Sequence, residues 1–397
     1  MNTPAESRPF PRWLHVWAIT TVVVTTLLLI LGGLVTTFKV GMADPVWPTE
    51  PWALAMINWQ EKEPGFLIEH THRLFGFLTG GFVSVLSIGL WFTDRNKLAR
   101  FAGLVPLVAF LALFGQFHGK MTAQKELLVA VWPMEVIYAL LGSLAVILLI
   151  SIGRCFAGAQ GSGVRLLGVI ALVAVMIQGM LGGLRVRFNE LAGTDLAAVH
   201  GSFAQIVFSL LIAIAVLTRR PGPVMIPEET RRRLRWQTIS LVLFAYMQII
   251  WGAWIRHSPD AIGIRLHLIF AFVVVGFATL VMKQGLSDPE SKAKLKFPFR
   301  VLMGLITVQI LLGVEAWIGK FLGPTLPELE KITVGKAVIR TIHAHTGTWI
   351  LAVSVIVALL VRKNPATPVG PTAQGNVDWK ESPRPEPSLA GTAGITS

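Results

Sequence analysis

Charge is what this sequence has least of. Only 14% of its 397 residues are Asp, Glu, Lys or Arg, against roughly 25% in a soluble domain, while 53% are hydrophobic and the mean hydropathy is +0.63. That balance excludes an ordinary water-soluble protein. Cysteine is nearly absent too. With Cys155 alone, the chain has no internal disulfide, no C-x-x-C-H covalent haem site, no Cys-ligated iron–sulfur cluster and no Cys-rich zinc site. Any redox metal must therefore rely on histidine. Acids are outnumbered by bases, 22 to 35, for a formal net charge of +13.

What the sequence has instead is apolar runs. They lie at roughly 14–38, 67–92, 101–118, 127–150, 165–184, 196–217, 237–255, 264–282, 299–319 and 339–361, separated by charge clusters and Gly/Pro punctuation. The pattern predicts an all-α polytopic membrane protein with about ten transmembrane helices. The first run is too long for a signal-peptide core and continues through Gly32-Gly33-Leu34 without an A-x-A site, so it reads as a span. Placing both termini in the cytoplasm collects most of the Lys and Arg on the inner side, including Arg95, Lys97, Arg100, Arg154, Arg231, Arg232, Arg233, Lys294 and Arg300. The outer side keeps Asp44, Glu50, Glu61, Glu63, Glu69, Asp195 and Asp260. The expected location is the plasma (inner) membrane. Because the cations are spread over short loops, the net charge reads as topology, and no nucleic-acid partner is expected; membrane lipid is.

The organisation read from this is a cytoplasmic segment 1–13, a first helical bundle 14–218 with an inserted hairpin 93–164, a basic cytoplasmic loop 219–236, a second bundle 237–362, and a disordered tail 363–397 rich in Pro, Gly, Ser and Thr.

Nine histidines are present, and all but His15 fall at the outer end of a span: His70, His72, His118, His200, His257, His267, His343 and His345. Ionisable side chains converging on one layer of a membrane line a site more often than they fill space. Four have a small residue one turn later: His72 with Gly76, His200 with Ala204, His267 with Ala271 and His343 with Gly347. Positions i and i+4 share a helix face, so each leaves room for a flat macrocycle beside the imidazole. These four begin the second helix of a hairpin. Three of the preceding helices echo one another as Gln178-x-x-x-Gly182, Gln248-x-x-x-Gly252 and Gln309-x-x-x-Gly313. Two such hairpins close a four-helix bundle with opposed histidines, so two pseudo-repeated bundles make two haem-sized sites. The insertion lacks the histidine and carries Glu135 instead. Arg73, Arg265 and Arg340 stand within three residues of His72, His267 and His343, and Arg185, Arg187 and Arg256 share their layer. Guanidinium groups pair with carboxylates such as porphyrin propionates.

The segment Leu67-Ile68-Glu69-His70-Thr71-His72-Arg73-Leu74-Phe75-Gly76 contains E-x-x-H-R at a helix start. With Gln178-Gly179-Met180-Leu181-Gly182-Gly183-Leu184 before His200, and Arg340-Thr341-Ile342-His343 leading into Gly347, it resembles the haem A synthase family over most of residues 14–361. The resemblance implies a membrane oxidoreductase that converts the C8 methyl group of haem O to a formyl group. On it, His72, His200 and Arg73 would hold the substrate haem, and His267, His343 and Arg265 a haem b cofactor. All four histidines would be iron ligands, and Glu69 the essential acid. Haem O is then the substrate, with haem O synthase and an electron donor as partners. The sequence departs from the family in lacking paired cysteines in the first outer loop, in its extra hairpin, and in having His345 beside His343, which leaves the ligand open between those two. Glu69 either relays protons or forms a salt bridge to Arg73 or Arg185; Glu315 is a second intramembrane acid. The alternatives are a di-haem b-type cytochrome for quinol-linked electron transfer and a proton-coupled transporter with histidine relays.

Overall fold

In the computed structural model, the described residues are 10–44, 46–48, 55–125, 131–219, 226–257, 261–321 and 332–362. The tail expected at 363–397 and most of segment 1–13 lie outside them. Among the described residues there are ten α-helices: α1 (Arg12–Thr37), α2 (Pro64–Phe92), α3 (Lys97–Thr122), α4 (Met134–Phe156), α5 (Ser162–Arg187), α6 (Asn189–Thr218), α7 (Glu228–His257), α8 (Ala261–Gly285), α9 (Pro289–Phe321) and α10 (Val334–Arg362). A 3₁₀ turn, Trp59–Glu61, precedes α2, and there is no strand among the described residues. All ten helices are long and apolar enough to cross a membrane. This is a multi-pass integral membrane protein, as the apolar runs require, because in lipid a spanning segment must satisfy its own backbone.

The helices outrun the apolar stretches at several ends. The basic loop expected at 219–236 is a loop only in part, since α7 begins at Glu228. Its first turns are supported by Glu228 with Arg231 and by Glu229 with Arg233 at 2.6 Å, spacings that stabilise helix outside the hydrocarbon. Likewise α9 starts ten residues before its apolar run, with Asp288 accepting from the Ser291 backbone N–H at 2.8 Å. Apolar length reports hydrocarbon depth, not where helix stops.

Packing divides the helices into two rings of four. In the first, α1 packs on α2, α2 on α5, α5 on α6, and α6 back on α1. In the second, α7 packs on α8 and α10, and α10 on α9, while α8 and α9 touch little. The rings meet where α6 and α1 face α7 and α10. Buried residues gather accordingly, one cluster around Leu14, Leu86, Leu172 and Leu211 and another around Leu241, Ala278, Leu302 and Val357. Lipid tails are as apolar as leucine, so close backbone approach and polar contacts hold such helices together. Ser87 accordingly donates to the Gly168 carbonyl at 2.8 Å, and the Trp17 ring stacks on Phe82 at 4.6 Å while its Nε1 donates to the Phe82 carbonyl.

The inserted hairpin, α3 and α4, lies against α2 and α5. Trp91 of α2 fills the place of a side chain at Gly103, where a Cβ would fall 2.0 Å from the indole. Asp94 anchors the same end. Its buried carboxylate pairs with Arg154 of α4 at 3.0 Å and Arg165 of α5 at 3.3 Å, and its carbonyl accepts from Arg100 of α3.

Candidate functional site

Each of the four histidines singled out by sequence sits against a glycine of the preceding helix in its own hairpin. A Cβ at Gly32 would lie 3.0 Å from His72 Cε1, and Cβ atoms at Gly182, Gly252 and Gly313 would each lie 3.1 Å from Cε1 of His200, His267 and His343. Only a residue without Cβ lets an imidazole come that near the helix backbone. The carbonyl four residues before the glycine flanks the ring each time, at Leu28, Gln178, Gln248 and Gln309. The glutamine amides reach the same rings. Gln178 Nε2 lies 3.1 Å from His200 Nδ1 and donates to the His200 carbonyl at 2.9 Å, Gln248 Nε2 lies 3.4 Å from His267 Nε2, and Gln309 Nε2 lies 3.5 Å from His343 Nε2. The Gln-x-x-x-Gly pattern therefore builds a seat for histidine. Its fourth instance, Leu28-x-x-x-Gly32, escaped sequence reading because leucine replaces the glutamine, although Gly32 was visible.

Across the second ring, His267 and His343 meet edge-on, with centroids 6.4 Å apart and planes at 74°. Two imidazoles bound to opposite sides of one metal ion, with bonds of about 2 Å, put their centroids roughly 6 Å apart. In the first ring, His200 lies within electrostatic reach of His72 and Arg185. Space accompanies the rings. A Cβ on Gly76 or Gly80 would meet nothing within 4 Å, and one on Gly347 would meet only Gln309 Nε2, at 3.4 Å. The Nδ1 atoms of His72 and His343 and the Oε1 atoms of Gln178, Gln248 and Gln309 are buried without a hydrogen-bond partner. The donor set and its spacing fit a bis-histidine haem.

Of the remaining histidines, His257 is also within electrostatic reach of His200, and the other four go elsewhere. His70 stacks on Phe66 at 4.7 Å, meets Trp59 edge-on at 6.3 Å, and lies 3.5 Å from Asp44. His118 meets Phe77 edge-on at 5.5 Å, and His15 lies 3.2 Å from the Thr218 hydroxyl. His345 turns from His343 to α1, where its Nε2 lies 3.3 Å from the Cβ position of Gly33.

Glu69 and Arg73 form a clamp. Glu69 Oε1 pairs with Arg73 Nη2 at 2.8 Å, and Oε2 accepts the Asp44 backbone N–H at 2.9 Å. Arg73 Nη1 donates to the Val46 carbonyl at 2.7 Å and stands 3.3 Å from the Asp44 carboxylate. Of the two salt-bridge partners open in the sequence, the structure pairs Glu69 with Arg73. Both residues thereby hold the segment after α1 over the histidine end of the first ring. Trp47 of that segment packs on Gly183, and Arg185 packs on Gly41 with its Nε buried and unpartnered. Arg265 is exposed on α8, and Glu315 is exposed on α9. Arg256 points the other way, donating to the Gly33 carbonyl at 2.9 Å and to the Thr37 hydroxyl.

Fold and site together define a multi-pass membrane protein with glycine-seated, half-buried histidines among its helices. Over 101 residues the chain is 23% identical to heme A synthase of Lysinibacillus sphaericus, an alignment covering 25% of this chain and 32% of that protein. The match thus spans about a third of the length of the curated relative. No family model and no solved structure matches.

Proposed function

We propose that the protein is a haem A synthase, oxidising the C8 methyl group of haem O to a formyl group inside the membrane. The observation carrying this reading is the opposition of His267 and His343 at 6.4 Å, in seats that recur at His72 and His200. The similarity to heme A synthase of L. sphaericus supports it. His267 and His343 would hold haem b, and His72 and His200 would receive haem O. Haem iron, when bound, supplies the redox chemistry.

The chain's own residues seat, orient and shield. The four glycines fix the depth of each ring, and glutamine amides limit the rotation of His200, His267 and His343. Glu69 and Arg73 pin residues 44 and 46 at the histidine end of the first ring. With both carboxylate oxygens of Glu69 engaged in this clamp, positioning the covering segment is its first role, and a proton relay would require the clamp to open. Arg185, at that same end with a free Nε, is better placed than Arg73 to meet a propionate. Arg265 is solvent- or lipid-exposed and would reach a propionate only at the rim. The rings would lie near the outer leaflet, with both termini cytoplasmic.

The test is co-expression with a source of haem O followed by pyridine haemochrome analysis. Haem A in the wild type and its loss in His72→Ala and His343→Ala are expected. Two firmly held haems and no haem A would establish the di-haem electron carrier instead, and a purified protein without Soret absorption would overturn both.

A further inference from the structure

His345 also meets a glycine of α1, by a different edge of its ring, and the proposed function does not use it. Its Nε2 and Cδ2 lie 3.3 and 3.9 Å from the Cβ position of Gly33, and the Leu29 carbonyl flanks the ring. One residue earlier, Gly32 faces Cε1 of His72, with the Leu28 carbonyl beside that ring. Successive residues of a helix are turned by about 100°, so α1 carries two adjoining seats, one for a histidine of its own ring and one for a histidine of the other.

The second seat is gripped from several sides. The Thr341 methyl lies 3.1 Å from the Gly33 Cβ position and its hydroxyl 3.3 Å from that of Thr37. Arg256 of α7 donates to the Gly33 carbonyl at 2.9 Å and to Thr37. Both nitrogens of His345 are buried without a hydrogen-bond partner. A leucine would fill that space without burying two polar atoms, so packing alone does not account for the imidazole.

We propose that His345 is a positioning residue for the first ring: with Thr341 and Arg256 it fixes α1 at Gly32-Gly33, and so sets the seat of His72, although it stands only two residues from His343. The inference rests on the reading of His72 with His200 as a haem-binding pair.

The test titrates the purified full chain with iron protoporphyrin IX and follows the visible and EPR spectra, using His72→Ala and His343→Ala to assign the two low-spin signals. His345→Leu is expected to leave the second-ring signal in place, shift the g values of the first-ring signal, and weaken haem uptake there by about tenfold or more, the usual scale for a support behind a ligand. His345→Gln, which keeps a polar group at the contact, is expected to recover part of that loss. Gly33→Ala, which presses on His345 from the other helix, is expected to act as His345→Leu does, and it stands in should that variant fail to fold. A second-ring signal changed alone, or both signals unchanged, would overturn the proposal while leaving the haem reading intact. A wild type that takes up no haem would overturn both.

Discussion

Gly182 on α5 and His200 on α6 meet so closely that a Cβ on Gly182 would stand 3.1 Å from His200 Cε1, and the ring would have to give way. The contact accounts for a glycine inside an apolar helix, where it otherwise weakens the helix by roughly 1 kcal/mol relative to alanine. The same contact recurs at three other hairpins, so the glycines and histidines form one system.

Gly182→Val is therefore expected to displace the His200 ring and weaken haem retention in the first ring by about 10-fold or more. Gln178→Leu, which recreates the Leu28 version of the seat, is expected to retain haem. Haem content per polypeptide, by pyridine haemochrome, distinguishes them; equal losses would show that the amide, not the glycine, forms the seat.

Removing one imidazole of the opposed pair leaves a gap of known chemistry. His267→Ala is expected to turn the second-ring spectrum from low to high spin, and free imidazole added to the purified variant is expected to restore the low-spin form. A spectrum indifferent to both changes would show that His267 is not a ligand.

At the clamp, Glu69→Gln keeps an acceptor for the Asp44 N–H but takes away the charge facing Arg73. Breaking a buried pair costs about 3–5 kcal/mol; Asp44, 3.3 Å from Arg73, still faces the guanidinium, so the lower end is expected. The observable is faster protease cleavage in residues 38–48. Glu69→Gln with Arg73→Met should be less destabilised than the sum of the two single changes.

Asp94→Asn leaves Arg154 and Arg165 without their carboxylate where the inserted hairpin joins α2 and α5. A loss of about 3–5 kcal/mol is expected, measured as a lowered midpoint of thermal aggregation in detergent. Arg231→Ala, whose partner Glu228 is exposed, should change that midpoint little.

The helices and the four histidines were legible in the sequence, since apolar length and residue type are local properties. The choice between His343 and His345 was not. Two residues apart on a helix, they point roughly 200° from one another, and nothing along the strand of sequence says which neighbour each will meet. The partners of Arg73 were hidden for a related reason. An i, i+4 acid and the backbone carbonyls of residues 44 and 46 accept from its guanidinium. Arg256, counted with the same outer arginines, binds α1 instead.

The sequence alone determined that this chain is built to cross lipid and how many times it can cross, through its low charge and the number and length of its apolar runs, and its single cysteine excludes cysteine-built metal centres. Tertiary structure decided which imidazoles come together, which glycines seat them, and that α1 of the first ring also packs on α10 of the second. Those outcomes depend on which helix faces come together, and in a membrane that is settled by close fit between distant segments, not by the apolar pattern they all share.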